Sequence, residues 1–102
     1  MKQTIKQSNG TSFHGIVVEA SAEQLFQILG KPRYQGNDGS DKVNFDWVLE
    51  NEDGDVFTVY DWKEYRPLET DEMVVWHIGG HSEAVTQKAL KEILEELSKL
   101  EG

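Results

Sequence analysis

The sequence predicts an α+β domain, an antiparallel sheet of four to five strands with two helices packed on one face. Three observations carry this. Val43, Phe45, Trp47 and Leu49 alternate with polar residues except at Val48, and Val56, Thr58, Tyr60 and Trp62 alternate with Phe57, Val59 and Asp61 beyond Asn51-Glu52-Asp53-Gly54, which reads as two strands paired around a turn. Ala22–Leu29 and Glu83–Leu100 carry helical apolar spacing behind serine caps. Three consecutive strands separate the two helices, whereas a parallel doubly wound sheet would need strands and helices to alternate.

The elements follow in order. Lys2–Gln7 precedes Asn9-Gly10, a hairpin signal, so this segment either pairs with the next strand or frays. Phe13–Glu19, with Ile16, Val17 and Val18, reads as a strand. Ser21-Ala22-Glu23-Gln24 is a capping box, Leu25, Phe26, Ile28 and Leu29 form an apolar face, and Gly30 and Pro32 end the helix. Gln35–Asp41 is a loop by composition. In the hairpin, Val56, Tyr60 and Trp62 share a face, which assigns both rings to the helix-facing core. Glu64–Glu72, containing Pro67, leads to a third strand at Met73–Ile78. In the closing helix, Val85, Ala89, Leu90, Ile93, Leu94, Leu97 and Leu100 form one stripe, with a Glu95–Lys99 pair on the other side.

The 102 residues suit one domain, 1–102, and 37% hydrophobic residues supply a core. There is no cysteine, hence no disulfide, thiolate metal site or cysteine nucleophile. Residues 1–10 lack an apolar signal region and no apolar run nears the ~20 residues of a membrane span, so a cytoplasmic protein that does not enter membranes is expected.

Nineteen Asp and Glu against ten Lys and Arg give a net charge of −9. Lys31–Glu72 concentrates twelve acidic against five basic residues. Such a field disfavours direct nucleic-acid binding and favours a basic protein partner. The contact candidates are Asp53, Asp55, Glu64, Tyr65, Arg66, Asp71 and Glu72, where aromatic and charged residues meet near strand ends.

An alternative site is His77-Ile78-Gly79-Gly80-His81-Ser82, between the last strand and last helix. Helix-terminal amides there, flanked by His77 and His81, are placed to hold a small phosphate-bearing ligand; the same residues also serve as a tight turn capped by Ser82. His77 and His81 straddle glycines, not a helical turn, and no third ligand accompanies them, so no metal is expected. Asn51–Asp55 and Asn37–Asp41 fail as calcium loops, because alignment on the glycine puts Leu49 or Tyr34 at the first ligand position. No nucleophile–base signature is legible, and neither a catalytic residue nor a cofactor is expected.

Leu29-Gly30-Lys31-Pro32, ending a capped helix and followed by a Trp-bearing hairpin, resembles the helix–hairpin unit of small outer-membrane assembly lipoproteins and β-lactamase-inhibitor-like domains. Asp41-Lys42-Val43, Tyr60-Asp61-Trp62-Lys63 and Trp76-His77-Ile78-Gly79-Gly80 resemble small phage-encoded proteins of mostly unassigned role. The second resemblance implies a non-enzymatic inhibitor that occupies a basic, nucleic-acid-binding surface of a host protein.

Overall fold

Each helix begins where the sequence supplies a cap. In the computed structural model, which describes residues 1–6, 8–36 and 42–101, α1 spans Ala22–Leu29 and α2 spans Glu83–Leu100. Ser21 Oγ accepts from the Gln24 amide at 3.1 Å, and Gln24 Oε1 accepts from the Ser21 amide at 2.9 Å, so two helix-terminal donors are satisfied reciprocally. Gly30 closes α1 at φ 84°, a left-handed geometry that a Cβ would resist. Ser82 caps α2 by accepting from the Val85 amide. No described helix is long and apolar enough to cross a membrane.

Among the described residues, six strands form one antiparallel sheet: β1 (Lys2–Gln3), β2 (Ser12–Ser21), β3 (Tyr34–Gln35), β4 (Phe45–Glu50), β5 (Val56–Tyr60) and β6 (Met73–Gly80). Their order is β1-β4-β5-β6-β2, with β3 also on β4. β1 and β3 are two residues each, too short to leave a periodic signature. Both helices cover one face, giving the two-layer α+β fold. Of the expected loop at Gln35–Asp41, residues 37–41 lie outside the described residues, as does Gln7.

The N-terminal segment corrects one expectation. Lys2 pairs with Glu50 and Gln3 with Leu49, so β1 joins β4 and not β2. The Gln3 side chain donates to the Leu29 and Lys31 carbonyls at 3.0 and 2.6 Å, and Lys6 Nζ donates to the Gly54 carbonyl at 2.9 Å. Carbonyls at the end of α1 and in the hairpin loop thus gain donors that an N-terminal hairpin would not supply. Asn9-Gly10 still turns the chain, but between this crossing segment and β2.

The β4–β5 hairpin corrects a second. Val56, Thr58 and Tyr60 share a face, but not the one under the helices. The loop is Asn51–Asp55, one residue longer than the expected turn. The Asn51 amide donates to the Asp55 carbonyl at 2.9 Å, and Asn51 Oδ1 accepts from the Asp53 and Asp55 amides at 2.9 and 3.0 Å. Trp47 therefore stands opposite Val59 and Leu49 opposite Phe57. Opposed residues share a face, so one extra loop residue exchanges the faces of β5. Phe45, Trp47, Leu49, Phe57 and Val59 are each at most 1% exposed and form the core, while Tyr60 and Trp62 point to the opposite face.

Asp61, in phase with Val59, turns inward and is fully buried. Its Oδ1 accepts from the Asn44 and Phe45 amides at 2.8 and 2.9 Å, and Oδ2 accepts from Asn44 Nδ2 at 2.9 Å. Two buried tryptophans hold α1. Trp76 Nε1 donates to the Ala20 carbonyl before it and Trp47 Nε1 to the Gly30 carbonyl after it, each at 2.8 Å. The two indoles meet edge-on at 5.6 Å.

The α2 stripe is wider than its contact. Ala89 and Ile93 are fully buried and Leu90 and Leu97 partly, but Leu94 and Leu100 are exposed. Lys99 pairs with Glu96 at 2.9 Å, not with Glu95. Ile93→Ala is expected to cost about 2–5 kcal/mol in urea unfolding, and Leu94→Ala under about 0.5 kcal/mol. Asp61→Ala removes the acceptor of the buried Asn44 and Phe45 amides and one acceptor of Asn44 Nδ2, and is expected to cost about 3 kcal/mol or more, measured the same way. A loss below about 1 kcal/mol would show that this clamp is not closed.

Candidate functional site

The helix-free face of the sheet is divided in two. At the end where the β4–β5 loop lies, Lys6 and residues 8–12 cross it. Lys6 reaches Glu50 at 3.2 Å, and Arg33 Nη1 donates to Ser8 Oγ at 3.1 Å. Val48, Val56 and Thr58 are buried at this end. At the other end nothing described covers the sheet, and large apolar side chains stand in solvent: Phe13 and Val17 of β2, Met73 and Val75 of β6, and Trp62 after β5. Antiparallel sheets with one solvated face ordinarily alternate polar residues there, so this apolar surface is the candidate contact site.

His77 is the centre of the surface. Phe13 stacks on its ring at 4.0 Å, Tyr60 approaches edge-on at 5.5 Å, and Trp62 stacks at 6.3 Å. A bulge in β2 between Phe13 and Val17 makes this packing; Gly15 sits in it at φ 86°. Lys42 and Lys63 lie 5.9 and 5.5 Å from the Trp62 ring centroid. Beyond Trp62 the chain is bent sharply, with Lys63 and Tyr65 in left-handed conformations at φ 54° and 51°. The cost of two such non-glycine residues is met by fixed contacts: the Lys63 amide donates to the Lys42 carbonyl at 2.7 Å, and Asn44 Nδ2 donates to the Arg66 carbonyl at 2.9 Å.

A groove of about 260 Å³ opens between Tyr60–Trp62 and the ion pair of Arg33 with Asp46. Burial holds the Asp46 carboxyl above its usual range, against the pull of Arg33. Burial, with the Asp46 charge opposite, also raises the Tyr60 hydroxyl. Among the described residues no group of three or more His, Asp or Glu could hold a metal.

The seven expected partner contacts fall into two groups. Asp53 and Asp55 are exposed in the β4–β5 loop, where Asp53 pairs with Lys88 of α2. Glu64, Tyr65, Arg66, Asp71 and Glu72 lie in the β5–β6 connection. The length of β5 separates the groups, roughly 17 Å. The sequence therefore does not build one continuous acidic patch. Within the second group, Arg66 forks onto Glu72 at 2.7 and 3.0 Å, with Glu64 at 3.9 Å. Arg66 and the Glu69 amide hold the Glu72 carboxyl below its usual range. Tyr65, three residues after Trp62, is exposed.

The glycines expected in a tight turn or at a helix-terminal anion site lie within the sheet. Gly79 and Gly80 are the last residues of β6, paired to Phe13 and Ser12 on one side and to Thr58 and Phe57 on the other. A Cβ on Gly79 would lie 2.5 Å from Thr58 Oγ1, and one on Gly80 would lie 3.0 Å from Thr86 Cγ2. Both glycines thus allow close approach within the fold. His81 is exposed beside Gly10, and Ser82 caps α2. His77 belongs to the open sheet face, not to this junction.

Comparison with protein-family models, curated proteins and solved structures found no match for this chain. The site therefore rests on its own chemistry. Sequence reasoning missed Phe13, Val17, Met73 and Val75 as site residues. The available signal was β6, apolar on both faces, in a domain with helices for only one.

Burial lowers the His77 pKa from its ordinary 6.5. A depressed histidine favours the neutral form in the folded state, so its contribution is present above the unfolded pKa and is lost as pH falls through the folded one. The unfolding midpoint of the parent protein is expected to drop relative to His77→Phe as pH falls from about 7 to 5. A constant difference across that range would place His77 in solvent.

Proposed function

We propose that this chain is a non-enzymatic binding protein, an inhibitor-type module that docks on a basic surface of a host protein through the uncovered part of its sheet. One observation carries the reading: Phe13, Val17, Trp62, Met73 and Val75 are each 41–55% exposed on one helix-free face of a chain with net charge −9. Exposing that much apolar surface has no folding benefit, and a partner that covers it recovers the hydrophobic term. Trp62 is the natural anchor, since it is a large ring preorganised by His77, Tyr60 and the bend at Lys63. Glu64, Asp71 and Glu72 rim this end of the face and meet basic residues around the partner's apolar centre, while the net charge accelerates encounter. Asp53 and Asp55 contribute through the long-range field from the far end.

The test is affinity capture from host lysate with the parent chain and three variants. The parent is expected to hold one protein stoichiometrically and to release it as salt rises. Trp62→Ala with Val17→Asp should abolish capture. Glu64, Asp71 and Glu72 changed together to Lys should slow association, and Leu94→Glu on α2 should bind as the parent does. Equal capture by the parent and the Trp62/Val17 variant would overturn the reading.

A further inference from the structure

The outer face of α2 is independent of the sheet surface. It exposes Leu94 at 50% and leaves Leu90 only partly buried, flanked by Gln87, Ser98, Lys91 and Glu95. Leu94 makes no contribution to the buried core. Neither Lys91 nor Glu95 has a salt-bridge partner among the described residues, although Lys88 and Lys99 on the same helix are both paired.

We propose that this face pairs with the same face of a second copy, the two α2 helices running antiparallel across a two-fold axis near Glu92–Ile93. The occupant follows from the residue spacing. In an antiparallel pair centred there, Leu90 of one chain meets Leu94 of the other, and Leu94 meets Leu90. The same axis sets Lys91 against Glu95 and Glu95 against Lys91, on one flank of the apolar contact. A two-fold interface must be self-complementary in this sense, with each residue's counterpart present on the same patch. A single helix face with two leucines per chain makes a small contact, so the dimer is reversible and concentration-dependent, not obligate.

Sedimentation equilibrium of the full chain from about 10 μM to about 1 mM tests this. The parent is expected to show a monomer–dimer equilibrium. Leu94→Glu, at an exposed position, should remain monomeric while unfolding cooperatively in urea as the parent does. Lys91→Glu and Glu95→Lys should each raise the dissociation constant about fivefold or more, since each turns two cross-pairs into like-charge contacts. The combined exchange of both residues should restore the parent value. Glu95→Lys is the sharpest arm. It makes the chain two charges less negative, so relief of overall repulsion alone would tighten association, whereas the pairing geometry requires it to weaken. A parent chain monomeric throughout the range would overturn the proposal. So would a dimer indifferent to Leu94→Glu, or charge variants that follow net charge instead of pairing.

Discussion

The β4–β5 hairpin is held at both ends by buried Asx side chains, and the rest of the molecule depends on the register they impose. At the loop, Asn51 Oδ1 gathers the Asp53 and Asp55 amides and admits five residues between the strands. At the open end, the Asp61 carboxylate gathers the Asn44 and Phe45 amides. A slip of one residue would strand the Asn44 and Phe45 amides in a dry interior, where each unsatisfied group costs about 1–3 kcal/mol. It would also carry Phe57 and Val59 out of the core. The register thus decides which face of β5 the helices cover.

From that choice the exposed aromatic surface follows. With Trp47 inward, its indole N–H is placed under the Gly30 carbonyl, and Trp76 takes the Ala20 carbonyl, so the two rings seat α1 over β2. Tyr60 is sent outward with His77 beside it, and the buried Asp61 anchors the chain immediately before Trp62. The aromatic surface stands directly on the clamp: Asn44 bonds both Asp61 and the carbonyl of Arg66, bracketing the bend that presents Trp62 and Tyr65. The crossing of Lys6 and residues 8–12 then decides how much of the face stays open, covering the Thr58 end and leaving the His77 end.

Much of this was legible in the sequence where local chemistry governs. The Ser21 and Ser82 caps, the strands at Phe13–Glu19 and Met73–Ile78, and the two-layer arrangement depend on spacing within ten or twenty residues. The inward or outward sense of Tyr60 and Trp62 was not, because both faces of β5 are apolar and only loop length breaks the tie. Asn51 could have revealed the longer loop, since an Asx residue after a strand readily accepts from amides two and four residues on. β1 was misplaced for a related reason: Asn9-Gly10 is a true turn, but its partner strand is chosen by Gln3 and Lys6 contacts 26 and 48 residues away. The division of the acidic residues between opposite ends of β5 likewise follows from topology, which composition does not encode.

The most direct test of the register is a nuclear Overhauser spectrum of the intact protein, read across β4 and β5. The account predicts backbone contacts between Trp47 and Val59 and between Leu49 and Phe57, as directly opposed pairs. Contacts that instead set Trp47 opposite Thr58 would show a four-residue turn, place Tyr60 and Trp62 beneath the helices, and contradict the account.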